Sequence, residues 1–157
     1  MKHMKKTLAV LLALLMLLPF GSIAFAEDGV TVVISGTLEL GNAQYTFYSD
    51  GNLVLEGSGP VYGTFMDEPM EPYFNDIKTL TVGEGITSLN GLVFTNCKNL
   101  ETVKLPKTFH ITEDNFMNCS QLKQFIVDPD NPNHGTDAAG ALYNKAMTVL
   151  YKYVTGS

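Results

Sequence analysis

The chain has 157 residues, with 10 lysines, no arginine and 16 acidic residues, for a net charge of −6 at pH 7. That length suits one domain plus a processed leader. An acidic, arginine-free chain argues against nucleic acid and anionic membranes, because phosphate contacts need Lys and Arg.

The chain begins with a basic stretch carrying Lys2, Lys5 and Lys6, followed by an unbroken apolar run from Leu8 to Leu18. Pro19 and Gly21 break that run, and Ala24-Phe25-Ala26 supplies the small residues read by a signal peptidase. Residues 1–26 therefore read as a secretory signal peptide. An uncleaved anchor is the competing reading, but the run is short for a span of about 20 residues. Glu27, not Cys, directly follows Ala26, so no lipid anchor is expected. Without the three leader lysines, 7 lysines face 16 acids, a net charge of −9. That balance favours solubility outside the cell, with no membrane contact after cleavage.

Residues 27–59 read as a β-rich cap. Val30 to Ile34 is β-branched, and Gly36 to Leu40 continues the extended pattern. Gln44 to Tyr48 and Leu53 to Gly57 alternate on either side of Asp50-Gly51, a strong hairpin signal. A lone hairpin is marginal in water, so its apolar face needs something to cover. Residues 60–76 form a connector with Pro60, Pro69 and Pro72, four aromatics and four acids. Its aromatics are expected to pin it to the segment that follows, while Tyr62, Phe65 and Tyr73 are kept as secondary candidates for ligand contact.

Residues 77–139 carry the clearest pattern. Ile77-x-x-Leu80-x-Val82, Leu100-x-x-Val103-x-Leu105 and Leu122-x-x-Phe125-x-Val127 share one apolar signature, which recurs at nearly equal steps from Ile77 to Leu100 to Leu122. Phe94…Asn96-Cys97 and Phe116…Asn118-Cys119 repeat between them with the same step. A period in the low twenties falls in the leucine-rich-repeat range. Positions one, four and six should point into a core that stacking completes. The residues between them, Thr79, Thr81, Thr102, Lys104, Gln124 and Ile126, should line the opposite, exposed face. The return legs bring Ile86, Leu89, Phe109 and Ile111 to the core, and each Asn is expected to satisfy loop backbone groups.

Cys97 and Cys119 should lie one rung apart, about 5 Å, within disulfide reach. Equivalent side chains in stacked repeats point the same way, which suits free thiols acting as small hydrophobes. Both readings stand at this point. Asp128 to Gly135 is Pro- and Asn-rich; Asp128 and Asp130 fit a calcium loop in part, but Pro132 occupies the third ligand place and a turn is the default. Residues 140–157 close the chain with a hairpin that covers the far end of the stack.

The expected fold is thus mainly β with short helical or irregular return legs. It is a short leucine-rich-repeat solenoid of parallel strands, capped by an N-terminal β-meander and a C-terminal β-hairpin. Leu100 to Pro106, Phe94 to Leu100, Phe116 to Leu122 and Asn131 to Lys145 resemble BspA-like leucine-rich repeats. Ser35 to Leu38, Asp50 to Leu53 and Gly57 to Gly59 resemble the cap that often precedes them. Tyr45 and Tyr73 stand where the family often has Trp, and Val93 and Asn115 precede the repeat Phe where Ala is usual. The resemblance implies a bacterial, exported or cell-surface adhesion protein that binds host matrix proteins, other cells or surface polymers, with no conserved catalytic set. Members are commonly longer, so this is a minimal or a truncated one.

No catalytic residues, metal ligands or cofactor are expected. His110 sits on a return leg facing solvent, His134 lies in the Pro- and Asn-rich turn, and the thiols are buried and inert. The pairs Asp67-Glu68 and Glu113-Asp114 read as solvated turns. The leading expectation is a monomeric protein-binding module that uses the strip of six. The alternatives are a structural spacer, or the N-terminal piece of a longer surface protein, and carbohydrate binding by the 60–76 loop.

Overall fold

The computed structural model describes residues 29–38, 43–62, 69–91, 94–111 and 115–154. The expected leader, Phe65 and both adjacent acid pairs lie outside them. Alternation builds the first three strands, β1 (Val32–Thr37), β2 (Ala43–Tyr48) and β3 (Asn52–Gly57), into an antiparallel meander. Tyr45, Phe47, Leu53 and Leu55 bury its inner face. The Asp50-Gly51 turn falls between β2 and β3, where the sequence puts it. Gly51 has φ 87°, and a Cβ there would meet the Asp76 carbonyl at 2.9 Å, so the site accepts only glycine without movement.

β4 (Gly59–Tyr62) and a 3-10 helix, Glu71–Asp76, follow. Met70 and Phe74 are buried, and Tyr73 packs on Phe47 with ring centroids 5.9 Å apart. Tyr73 thus holds this end of the connector against the preceding meander, where the sequence suggests the first repeat as its anchor. β5 (Thr79–Val82), β6 (Ile86–Asn90), β7 (Thr102–Leu105) and β8 (Gln124–Val127) form the repeats. β9 (His134–Thr136), β10 (Leu142–Asn144) and β11 (Leu150–Lys152) end the chain.

The main sheet runs β1-β2-β3-β5-β7-β8, antiparallel through β3 and parallel from there on. Leu80 is in register with Val103, and Val103 with Phe125. Positions one, four and six of each repeat are buried, apart from the half-buried Val127. Burying each such side chain contributes about 1.5–3 kcal/mol, so the column of rungs is the main stabilising feature. Phe94 and Phe116 stack behind it at 6.0 Å, and Phe125 meets Phe116 edge-on at 5.5 Å.

The rungs share backbone chemistry too. The amides of Glu101 and Thr102 both donate to the Lys78 carbonyl, and those of Lys123 and Gln124 both donate to that of Glu101. The amides of Lys78 and Thr79 make the same pair of bonds to Gly51. β3 is therefore a rung in its own right: Leu53 aligns with Leu80 and Leu55 with Val82. Its return leg matches as well, because β4 pairs with β6 in parallel and puts Val61 opposite Leu89. The return legs of these first two rungs are thus regular strands, where the sequence suggests irregular ones.

Asn96 and Asn118 differ from expectation. Their φ angles are 65° and 60°, and Asn118 Nδ2 donates to Asn96 Oδ1 at 3.0 Å. The turn needs a left-handed residue, which Asn tolerates better than most, so the side chains bond each other rather than the loop backbone. Backbone satisfaction falls to Asn131 instead. Fully buried, it donates to the Pro106 and Phe109 carbonyls and accepts from the amides of Asn133 and His134.

The closing hairpin gains a third strand, giving the order β11-β10-β9. Gly140, with φ 86°, lies so close to β8 that a Cβ would sit 2.7 Å from that of Gln124, and its carbonyl accepts the Phe125 amide. The C-terminal unit is thereby tied to the exposed edge of the last rung. Among the described residues, no helix is long and apolar enough to cross a membrane.

Candidate functional site

The open face of the main sheet is built by alternation alone. Since Leu80, Val103 and Phe125 point inward, their strand neighbours must point out. Parallel register then lines up Thr79, Thr102 and Gln124 in one row, and Thr81, Lys104 and Ile126 in a second. All six sequence candidates thus share one surface. Lys104, Gln124 and Ile126 are exposed, and the three threonines are half-buried.

The rows continue onto strands outside the repeats that the sequence defines. Asn52 aligns with Thr79 and Val54 with Thr81; Thr46 and Ser35 extend the second row to β1. Six strands at about 4.8 Å spacing make a face roughly 24 Å wide. Side-chain bonds tie neighbouring rungs: Thr81 Oγ1 donates to Asn52 Oδ1 at 3.0 Å and Gln124 Nε2 to Thr102 Oγ1 at 3.3 Å. These bonds fix the rotamers of the first rows before any partner arrives. One signal could have revealed the extra strands. Leu53-Val54-Leu55 copies positions four to six of the repeats, but Asp50 stands where their first apolar residue should be.

A groove of about 300 Å³ lies across the C-terminal ends of β5, β7 and β8. Lys104 and Ile126 line it, together with Val82, Leu105 and Val127, and Glu84 and Asp128 bring negative charge beside the lysine. Ile126 is 47% exposed, a large apolar surface for a strand residue. A second cleft, of about 420 Å³, opens at the tip of the β2–β3 hairpin against the 3-10 helix. Tyr73 lines it. Tyr62 is exposed on β4, away from either opening, and nothing further is described at Phe65.

The groups that could do chemistry are engaged in structure. Cys97 and Cys119 are free, buried thiols. Each sulfur donates to the carbonyl of the anchor phenylalanine one rung earlier, Cys97 to Phe74 at 3.5 Å and Cys119 to Phe94 at 3.2 Å. Burial, and then the neighbouring Cys119, push the Cys97 thiol up to about 12, so it holds its proton at neutral pH. His134 is fully buried, and its Nε2 accepts the Ile111 amide at 2.9 Å. His110 is exposed and stacks on it, with centroids 5.6 Å apart. Asp128 Oδ1 accepts the Asp130 amide at 2.8 Å, which closes a turn. Among the described residues, no group of three or more His, Cys, Asp or Glu is placed to hold a metal ion.

Parallel strands on a regular period in the low twenties, with Asn-Cys turns between them, define a leucine-rich-repeat protein. Residues 73–140 match the family model described as "BspA type Leucine rich repeat region", and the repeat region of this chain is of that type. The chain is also similar to a leucine-rich repeat protein of known crystal structure from Eubacterium ventriosum. The two are 17% identical over 77% of this chain and 51% of that one, with a TM-score of 0.39. This chain thus spans about half the length of that protein. No match was found among curated proteins.

Proposed function

We propose that this protein is an exported recognition module that holds a protein partner against the open face of its sheet. One observation carries this reading: six outward side chains fall into two register-aligned rows, and one row ends in the groove beside Lys104 and Ile126. Leucine-rich repeats of this family generally mediate protein interactions, and its members are typically secreted or displayed at the surface. The leader-like residues 1–26 support export. A standard interface needs roughly 800 Å² from each partner, which the six-stranded face with its flanking loops could supply.

The groove adds chemistry to the partner. Lys104 between Glu84 and Asp128 favours an acidic group flanked by basic ones, and Ile126 offers an apolar anchor point beside it. The test is capture of host extracellular matrix proteins and bacterial surface proteins on immobilised chain, with Lys104→Glu plus Thr102→Ala as the comparison. Capture should fall at least about tenfold in the double variant, with the cooperative unfolding transition retained. Equal capture by both forms would remove this face from consideration.

A further inference from the structure

The cleft at the hairpin tip is separate from the open face, and the protein-binding reading makes no use of it. Phe47, Tyr48 and the half-buried Tyr73 line it, with the ring of Tyr73 packed on that of the buried Phe47. Asp50, Asp76, Lys78 and Asn99 also line it. We propose that this cleft binds a neutral saccharide, one or two pyranose rings in size.

Volume sets the class of ligand. About 420 Å³ lies low in the range of small-molecule sites, roughly 300–1,000 Å³, and is far too small for a folded partner. Charge narrows it further. A cationic guest would meet Lys78 and an anionic one Asp50 and Asp76, whereas a neutral polyol meets no repulsion from either sign. Each sugar hydroxyl both donates and accepts, which matches a lining of mixed character. Carboxylates accept, the lysine donates, and Ser49 Oγ already accepts the Thr31 amide, leaving its own proton to give. The ring of Tyr73 offers a flat apolar surface on which the C–H face of a pyranose can rest.

The lining is also held in place before binding. Asp50 Oδ1 accepts the Asn52 amide at 2.9 Å, and Asn99 Nδ2 donates to the Asn75 carbonyl at 2.7 Å, turning the remaining polar atoms of both residues to other partners. Gly51, with no room for a Cβ, lets the hairpin tip close on the end of the 3-10 helix. A site whose groups are fixed in advance loses less ordering entropy on binding. This moves the sugar-binding expectation off the 60–76 loop: of Tyr62, Phe65 and Tyr73, Tyr73 is the one that lines the cleft.

The experiment is a titration of the purified, isotope-labelled protein followed by amide chemical shifts. The probes are N-acetylglucosamine, its β-1,4 dimer, cellobiose, maltose and, as a charged control, pentalysine. At least one sugar should give saturable shifts centred on Asp50, Gly51 and Asn99, with a Kd of roughly 1 mM. Tyr73→Ala should weaken that binding about tenfold. Since Tyr73 also packs on Phe47, Asp76→Ala serves as the second variant; it should weaken binding several-fold and leave the unfolding midpoint in place. Three results would overturn the proposal. They are no saturable shift with any sugar, shifts centred on Lys104 and Ile126 instead, or tighter binding of pentalysine than of every sugar in the cleft.

Discussion

His134 takes the place of a strand. Along the back of the stack, β4 pairs with β6, and the His110 amide then donates to the Thr87 carbonyl at 2.7 Å. The next amide, Ile111, finds the imidazole Nε2 of His134. A buried amide left without a partner costs about 1–3 kcal/mol, so a buried histidine here stabilises more than an apolar residue would. Accepting at Nε2 requires the neutral ring, and the surroundings enforce it. Burial lowers the His134 pKa most, the Tyr143 backbone pulls the other way, and the neighbouring His110 adds a smaller lowering. The unfolded chain therefore takes up a proton near 6.5 while the folded chain resists it. Stability from this residue is full above that pH and is lost as pH falls below it through the depressed folded value. The urea midpoint should drop between about pH 7.5 and about pH 5.5, a window that ordinary carboxylates do not reach. His134→Gln should be less stable at the higher pH and should flatten this part of the profile. A profile equally steep in the variant would show that another group is titrating. From sequence, His134 is one residue of a Pro- and Asn-rich turn. Its burial is set by an orphan amide far earlier in the chain, at Ile111, which no local pattern announces.

The element that turns each repeat is Phe-x-Asn-Cys, and its parts have separable jobs. Phenylalanine stacks on its counterpart, cysteine bonds the preceding anchor, and asparagine supplies a left-handed residue. Asn118→Ala should cost roughly 1–2 kcal/mol, because alanine lacks the short polar side chain that lets asparagine hold φ near 60°. Asn118→Gly should lose only the exposed bond to Asn96, about 0.5 kcal/mol. Glycine would thus be the milder change, and equal losses in urea unfolding would place the whole role of Asn118 in its side-chain ladder. The spacing of this element was legible because stacking demands periodicity. Register, the inward column and the outward strip all followed from it, and so did the free, stacked thiols as one of two readings. The left-handed turn was not legible, since Asn also suits loops for other reasons. The rung at β3 was hidden for a different cause. It arrives by a hairpin rather than a return leg, so Asp50 replaces the first apolar position. The step from Leu53 to Leu80 is also longer than the steps from Leu80 to Val103 and from Val103 to Phe125, which breaks the period. Both clefts escaped the sequence entirely, because each joins residues from three or more segments.

At the scale of the molecule, the buried column does not stop where the meander ends. Phe47, Leu53, Leu80, Val103 and Phe125 run across five strands of one sheet, and Leu53 has no exposed surface. If the meander were a lid resting on an independent stack, losing its packing would free the lid and leave the repeats intact. A shared sheet behaves otherwise, because each rung is stabilised chiefly by its neighbours. Leu53→Ala should cost about 2–5 kcal/mol, as much as Leu80→Ala, out of a total that is commonly about 5–15 kcal/mol. Unfolding in urea should stay a single transition at a lower midpoint. Amide exchange should then grade along the stack: the amides of β5 lose the most protection, those of β7 less, and those of β8 least, since coupling passes from rung to rung. Two separate transitions, with β5 protection unchanged, would return the meander to the status of a detached cover and cut the open face to the three strands that the repeats supply by themselves.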